Sequence, residues 1–230
     1  MRARALTFAL LVAACSSSAP QPQPAPGSAA TGSGTYEGRP IAQTMSYLGA
    51  DWLDRPDRAD REQPDRVLDA LKLAPDSTAA DVGAGTGYFT VRLAKRVKTV
   101  HASDLQPEML RMLDARLYKE HLTNVTLHPA TDHDSGLPPA CCDVVLLVDV
   151  YHELSDPSGV MKTIRRALKP SGRLVLVEYR GEDPAVAIKP EHKMTLVQIE
   201  KELAELGFHF VDSLEMLPDQ RVVIFTRDDA

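Results

Sequence analysis

Asp81 ends an apolar stretch and is followed by three glycines at alternate positions, Gly83, Gly85 and Gly87; a second acid, Asp104, stands 17 residues beyond the last of them. Glycines spaced this way let a backbone turn pass close under a ligand, because no Cβ intervenes. An acid at the end of the next strand of a βαβ unit can accept both hydroxyls of a ribose. The spacing is G-x-G-x-G. Tyr88 stands where the dinucleotide fingerprint needs its last glycine, and no Gly-Lys-Ser/Thr follows as in a P-loop,. A nicotinamide dehydrogenase is disfavoured on that spacing, and so is any ligand held chiefly by its phosphates.

A second group able to do chemistry is Asp149-Val150-Tyr151-His152-Glu153-Leu154, directly after an apolar run. His152 titrates near neutrality when unperturbed and is the candidate general base. The alternative is that His152 and Glu153 cap the turn into the next helix. Glu178-Tyr179-Arg180 and His192-Lys193-Met194 could reach the same place, although helix capping and surface charge would explain them as well,.

Alternating strands and helices must position these groups. Pro64 opens a helix carrying Val67, Leu68, Leu71 and Leu73, and strand one runs over 78–82,. A helix over 88–96 follows the glycines, then strand two over 99–103 and a helix from Pro107 with Met109, Leu110, Met112, Leu113 and Leu117 on its apolar side,. Strand three covers 125–127, and 143–148 is nearly all apolar, as a central strand covered on both faces should be,. The helix over 160–168 ends at the turn signal Lys169-Pro170-Ser171-Gly172, ahead of strand five at 173–179,. A helix over 195–206 stops at Gly207, and strands at 208–214 and 221–226 close the domain. This alternation predicts an α/β fold with a parallel sheet, helices on both faces and an antiparallel C-terminal edge.

The glycine run, Asp104 and this layout resemble the class I S-adenosylmethionine-dependent methyltransferases, whose pattern is D/E-x-G-x-G-x-G followed by an acid at the end of strand two. Within that family the chain is similar to small-molecule methyltransferases related to the quinone-biosynthesis C-methyltransferases. The likeness extends to Leu168-Lys169-Pro170-Ser171-Gly172-Arg173-Leu174, where Ser171 replaces the usual glycine. The resemblance implies a Rossmann-like seven-stranded methyltransferase sheet over 64–230, with S-adenosyl-L-methionine as cofactor. Gly83, Gly85 and Gly87 would line its methionine portion, Asp81 would meet the ammonium group, and Asp104, next to Leu105, would take the ribose. Asp81 could instead satisfy loop amides, and Asp104 could cap the helix at Pro107. After strand three Asp132, or alternatively Asp134, would approach the adenine, and Asp149 would close the cofactor side.

The same resemblance places the 151–154 segment between cofactor and acceptor, with Tyr151 shaping the acceptor pocket. It also folds the N-terminal segment over the acceptor, which makes Trp52 and Arg55 substrate candidates, a solvated charged segment anchored by the single tryptophan being the blander account; His192, before the last long helix, is a further substrate candidate. The implied reaction is direct displacement onto a small-molecule acceptor. A non-catalytic envelope module that binds an adenosine-containing or other small ligand is the alternative.

The chain's first residues read as an export signal. Arg2 and Arg4 precede an apolar stretch too short to cross a bilayer, and Leu11-Val12-Ala13-Ala14-Cys15 resembles a bacterial lipobox with Cys15 as the lipidated residue,. Residues 1–14 would be the signal, 15–40 a lipid-bearing disordered tether on the order of 25–30 Å in reach, and 41–63 a helical cap. The expected location is the cell envelope, held to the membrane by lipid, with the cytoplasm as the alternative. The formal charge is −6, and −8 without Arg2 and Arg4. No basic cluster stands out, so nucleic acid is not an expected partner. No protein partner is evident, and no metal-ligand set is legible from spacing. The adjacent Cys141 and Cys142 read as small packing residues, a vicinal disulfide being the oxidised alternative.

Overall fold

The computed structural model describes residues 34–227; Cys15, the signal and most of the tether lie outside them. Seven strands build the central sheet: β1 (Thr78–Val82), β2 (Thr99–Asp104), β3 (Val125–Pro129), β4 (Cys142–Val148), β5 (Leu168–Arg180), β6 (Phe208–Leu214) and β7 (Gln220–Arg227). They lie in the order β3-β2-β1-β4-β5-β7-β6. The first five run parallel, and β7 is antiparallel to both β5 and β6. A two-residue strand, Lys193–Met194, pairs with the end of β5. Strand order reverses at β1, between β2 and β4, which is where an open α/β sheet offers a crevice at its carboxyl edge.

Period-two alternation explains how one sheet serves two cores. Val145 and Leu147 of β4 face α5 (Pro157–Ala167) and α6 (Leu196–Glu205) through Met161, Ile164, Ile199 and Leu203. Val144 and Leu146 face the other layer, α2 (Pro64–Ala70) and α3 (Thr90–Ala94), through Val67, Leu68 and Leu93. On the same face as Val100, α4 (Pro107–Lys119) lays Leu113 and Leu117 against Ala102 of β2.

The predicted turn at 169–172 is absorbed into β5. Leu168 pairs with Cys142 and Arg173 with Val144, so the Lys-Pro-Ser-Gly run bulges out of a continuous strand opposite Asp143,. The span read as tether also ends in structure. Thr35–Tyr36 pairs antiparallel with Arg39–Pro40, and the Arg39 guanidinium bonds the buried Glu202 carboxylate at 2.8 Å. Cys141 and Cys142 are joined as a disulfide. The segment after the hairpin forms a 3-10 helix (Tyr47–Asp54) and α1 (Arg58–Glu62), and lies across the carboxyl edge of the sheet.

Candidate functional site

The glycine turn leaves β1 with Gly83, Gly85 and Gly87 all at positive φ. At Gly83 the left-handed conformation coincides with a close approach: a Cβ there would collide with Val150, two residues past β4,. The Gly85 amide donates to Asp104 Oδ2 at 2.8 Å, and the Gln106 amide donates to Oδ1 at 2.8 Å. Asp104 therefore holds the turn and caps its own strand end while keeping further lone pairs free. Burial raises its pKa, and those two amides offset only part of the rise.

Asp81 is buried at the end of β1 and accepts from the Thr90 hydroxyl at 2.6 Å. Burial pushes its pKa up to about 6 despite that bond and the nearby Arg58 guanidinium. Asp149 turns the chain out of β4 at φ 55, and the Gln220 amide donates to both its oxygens at 2.8 and 2.9 Å. Burial, then Glu62 and Glu178, raise its pKa well above the ordinary carboxylate value.

Next comes a 3-10 turn, Tyr151–Glu153. His152 is buried; its Nδ1 bonds Glu178 Oε2 at 2.6 Å, and its Nε2 lies 3.1 Å from His192 Nδ1. Burial lowers the His152 pKa, but the Glu178 carboxylate beside it, helped by Glu153 and Asp149, outweighs burial and lifts it to about 9. Burial and the neighbouring His152 charge push His192 down to about 4.

These groups surround a cavity of about 400 Å3. Asp81, Gly83, Gly85, Asp104, Leu105, Asp132 and Asp149 line it, with Trp52, His152 and His192. Asp134 lines it as well, so Asp132 and Asp134 both stay at the wall; Asp132 takes the Ser155 hydroxyl at 3.0 Å. The N-terminal segment roofs the cavity. Gln106 ties it down, accepting from the Tyr47 amide at 2.8 Å and donating to the Met45 carbonyl at 2.9 Å.

Three sequence candidates stand elsewhere. Gly87 packs on Leu113, where a Cβ would clash. Tyr151 was expected to shape the acceptor pocket; its ring is fully buried in the core and its hydroxyl donates to Glu202 at 2.8 Å. Arg55 lies over the Trp52 ring at 3.7 Å and bonds Glu62 at 2.7 Å, so it braces the roof from behind. Sequence reasoning put Glu178 within reach of this place without its bond to His152, and missed the Gln220 clamp on Asp149 and the part Gln106 plays in the roof. No local pattern signals pairings between strands so far apart in the chain.

An S-adenosyl group fits this cavity on two grounds. Its cationic sulfonium and ammonium meet a wall rich in carboxylates, and Asp104 presents a carboxylate already fixed by two amides at the switch point of the sheet.

Comparison with known proteins agrees. Residues 80–176 match the methyltransferase domain family. The chain is 32% identical over 136 residues to a demethylmenaquinone methyltransferase of Tropheryma whipplei, covering 59% of this chain and 55% of that one. It is 37% identical over 114 residues to an uncharacterised methyltransferase of Mycobacterium bovis, covering 50% and 44%. The chain thus spans about half the length of the curated relatives it matches. Among solved structures, an S-adenosylmethionine-dependent methyltransferase from Aquifex aeolicus superposes with a TM-score of 0.75 at 24% identity, over 80% of this chain and all of that one. The DhpI complex with S-adenosylhomocysteine superposes at 0.61 with 17% identity, over 80% and 94%. Strand order, the glycine turn and the match over residues 80–176 make the chain similar to the class I S-adenosylmethionine-dependent methyltransferases, whose fold it shares.

Proposed function

We propose that the protein transfers the methyl group of S-adenosyl-L-methionine to a small-molecule acceptor held under the N-terminal roof. The observation that carries this reading is the bond between Gly85 and Asp104, which fixes a carboxylate at the switch point of a roofed cavity. When bound, the cofactor supplies a methyl on positively charged sulfur, so no covalent enzyme intermediate is needed.

Asp104 would hold the ribose hydroxyls, Asp81 the ammonium group, and Asp132 or Asp134 the adenine end. Asp149, clamped by Gln220, would close the cofactor side. The acceptor would lie between these groups and Trp52, His152 and His192. The site would position the acceptor's nucleophilic atom toward the methyl and exclude water, and these two effects would supply most of the acceleration. His152, its ring orientation set by Glu178 and its pKa lifted to about 9, would meet developing negative charge on the acceptor rather than take its proton.

Calorimetry of the full chain with S-adenosylmethionine and S-adenosylhomocysteine tests the reading. Binding of both, weakened in Asp104→Ala, supports it and justifies an acceptor screen. A folded chain that binds neither would leave a scaffold reused for another ligand, the reading in which the domain binds without catalysing.

We also propose that Cys15 carries a lipid anchor and holds the domain at the cell envelope. The reading rests on Arg2, Arg4 and the sequence Leu11–Cys15. Lipid labelling should disappear in Cys15→Ala; labelling that persists rejects it and favours the cytoplasm, where S-adenosylmethionine is made.

A further inference from the structure

We propose that His152, Glu153 and His192 form a site for a divalent ion of the zinc class in the acceptor half of the cavity. His152 Nε2 and His192 Nδ1 are 3.1 Å apart, and Glu153 Oε1 lies 4.0 Å from the first and 3.8 Å from the second. The circumradius of that triangle is about 2.1 Å. A point at its centre is therefore at bonding distance from all three atoms, since zinc–nitrogen and zinc–oxygen bonds run roughly 2.0–2.2 Å.

What surrounds the triangle fits the same purpose. His152 Nδ1 donates to Glu178 Oε2 at 2.6 Å, and the other Glu178 oxygen accepts the Tyr151 amide at 3.0 Å. A ligating histidine almost always gives its second nitrogen to such a carboxylate, which fixes the tautomer and turns the free lone pair toward the metal. Glu178 is fully buried. Glu153 takes a hydrogen bond from the Met45 backbone, yet its Oε1 stays beyond hydrogen-bond reach of either ring,. It faces the gap without closing it.

Two histidines and one carboxylate leave coordination positions open, the pattern of catalytic rather than structural zinc. All three residues line the cavity, so those positions face it. The ligand class they take is an oxygen donor, such as a hydroxyl or enolised carbonyl, whose acidity the ion would raise. Only this last step rests on the proposed methyl transfer; the ion site does not.

The test uses the full chain stripped with a chelator, titrated with Zn2+ by calorimetry and with Co2+ by visible absorption. One equivalent should bind, with the intense d–d bands of a low-coordinate Co2+ site. His192→Ala should weaken binding at least ~10-fold, as should Glu178→Gln, which touches the ion only through His152. His128→Ala serves as a control, because His101 and His128 form a separate ring pair at 2.8 Å and should contribute nothing. Circular dichroism on each variant verifies folding. No binding, or binding unchanged in a folded His192→Ala, overturns the site. S-adenosylhomocysteine is titrated in parallel with and without Zn2+, so its failure to bind counts against the methyl-transfer reading and leaves the ion result intact.

Discussion

The Asp104 carboxylate accepts the Gly85 amide at 2.8 Å across the gap between two adjacent parallel strands. Through this bond the acid that would grip the ribose also sets the shape of the turn that would cradle the methionine end. The two halves of the cofactor site cannot be adjusted independently.

Asp104→Ala should therefore harm both binding and stability. Losing a carboxylate that takes charge-assisted hydrogen bonds, worth about 1.5–3 kcal/mol each, predicts at least ~10-fold weaker S-adenosylhomocysteine binding. The Gly85 amide left without its acceptor costs about 1–3 kcal/mol of stability. Asp104→Asn retains an acceptor oxygen and should lose affinity with less destabilisation. Calorimetry and urea denaturation separate the two effects; equal stability loss in both variants would contradict the bond's structural role.

Asp81 makes stability depend on pH with a definite sign. Its folded pKa of about 6 exceeds the ordinary carboxylate value, so the folded chain binds this proton more tightly than the unfolded chain does. Stability from this group is present below about pH 4, the usual aspartate value, and is lost as pH rises toward 6. The difference is roughly 3 kcal/mol, at about 1.4 kcal/mol per pKa unit. Asp81→Asn should flatten that decline in chemical denaturation between pH 4 and 7. S-adenosylmethionine, whose ammonium favours ionised Asp81, should bind more tightly as pH rises through 6 in the native chain and not in the variant.

Glu62 is buried where α1 meets the roof and accepts from Arg58 and Arg55, both at 2.7 Å. Glu62→Ala strands two guanidinium groups that stack on Tyr88 and Trp52. Removing one partner of a buried ion cluster costs about 3–5 kcal/mol. Trp52 fluorescence should report a loosened roof at denaturant concentrations where far-UV dichroism still reads a folded sheet. Coincident transitions would mean the roof has no separate stability.

Gly83→Ala forces a Cβ into Val150 at positive φ. Destabilisation of about 1–3 kcal/mol is expected from overpacking alone. Pairing it with Val150→Ala should recover part of that loss, a coupling measurable by a double-mutant cycle.

The strands were legible because each is an apolar run bounded by turn residues, and the turn over 83–87 because only glycine suits its dihedrals. The turn signal at 169–172 misled because a bulge uses the same residues while its strand continues. Tyr151 and His152 are neighbours in sequence, yet a 3-10 turn points successive side chains about a third of a revolution apart. One enters the core and the other the cavity, and adjacency could not say which. His192 reaches His152 from 40 residues away, so the meeting of those rings with Glu153 exists only once β5 and the short strand behind it are in place.

The roof is held to the cavity rim by both ends of a single glutamine side chain, Gln106, and by an Arg116–Asp54 ion pair at 2.7 Å. None of these contacts belongs to a ladder of the sheet, so the cover could loosen while the strands stay paired. Entry and exit would then be a matter of local breathing, and the turnover clock would be set by how often the cover lifts rather than by bond making.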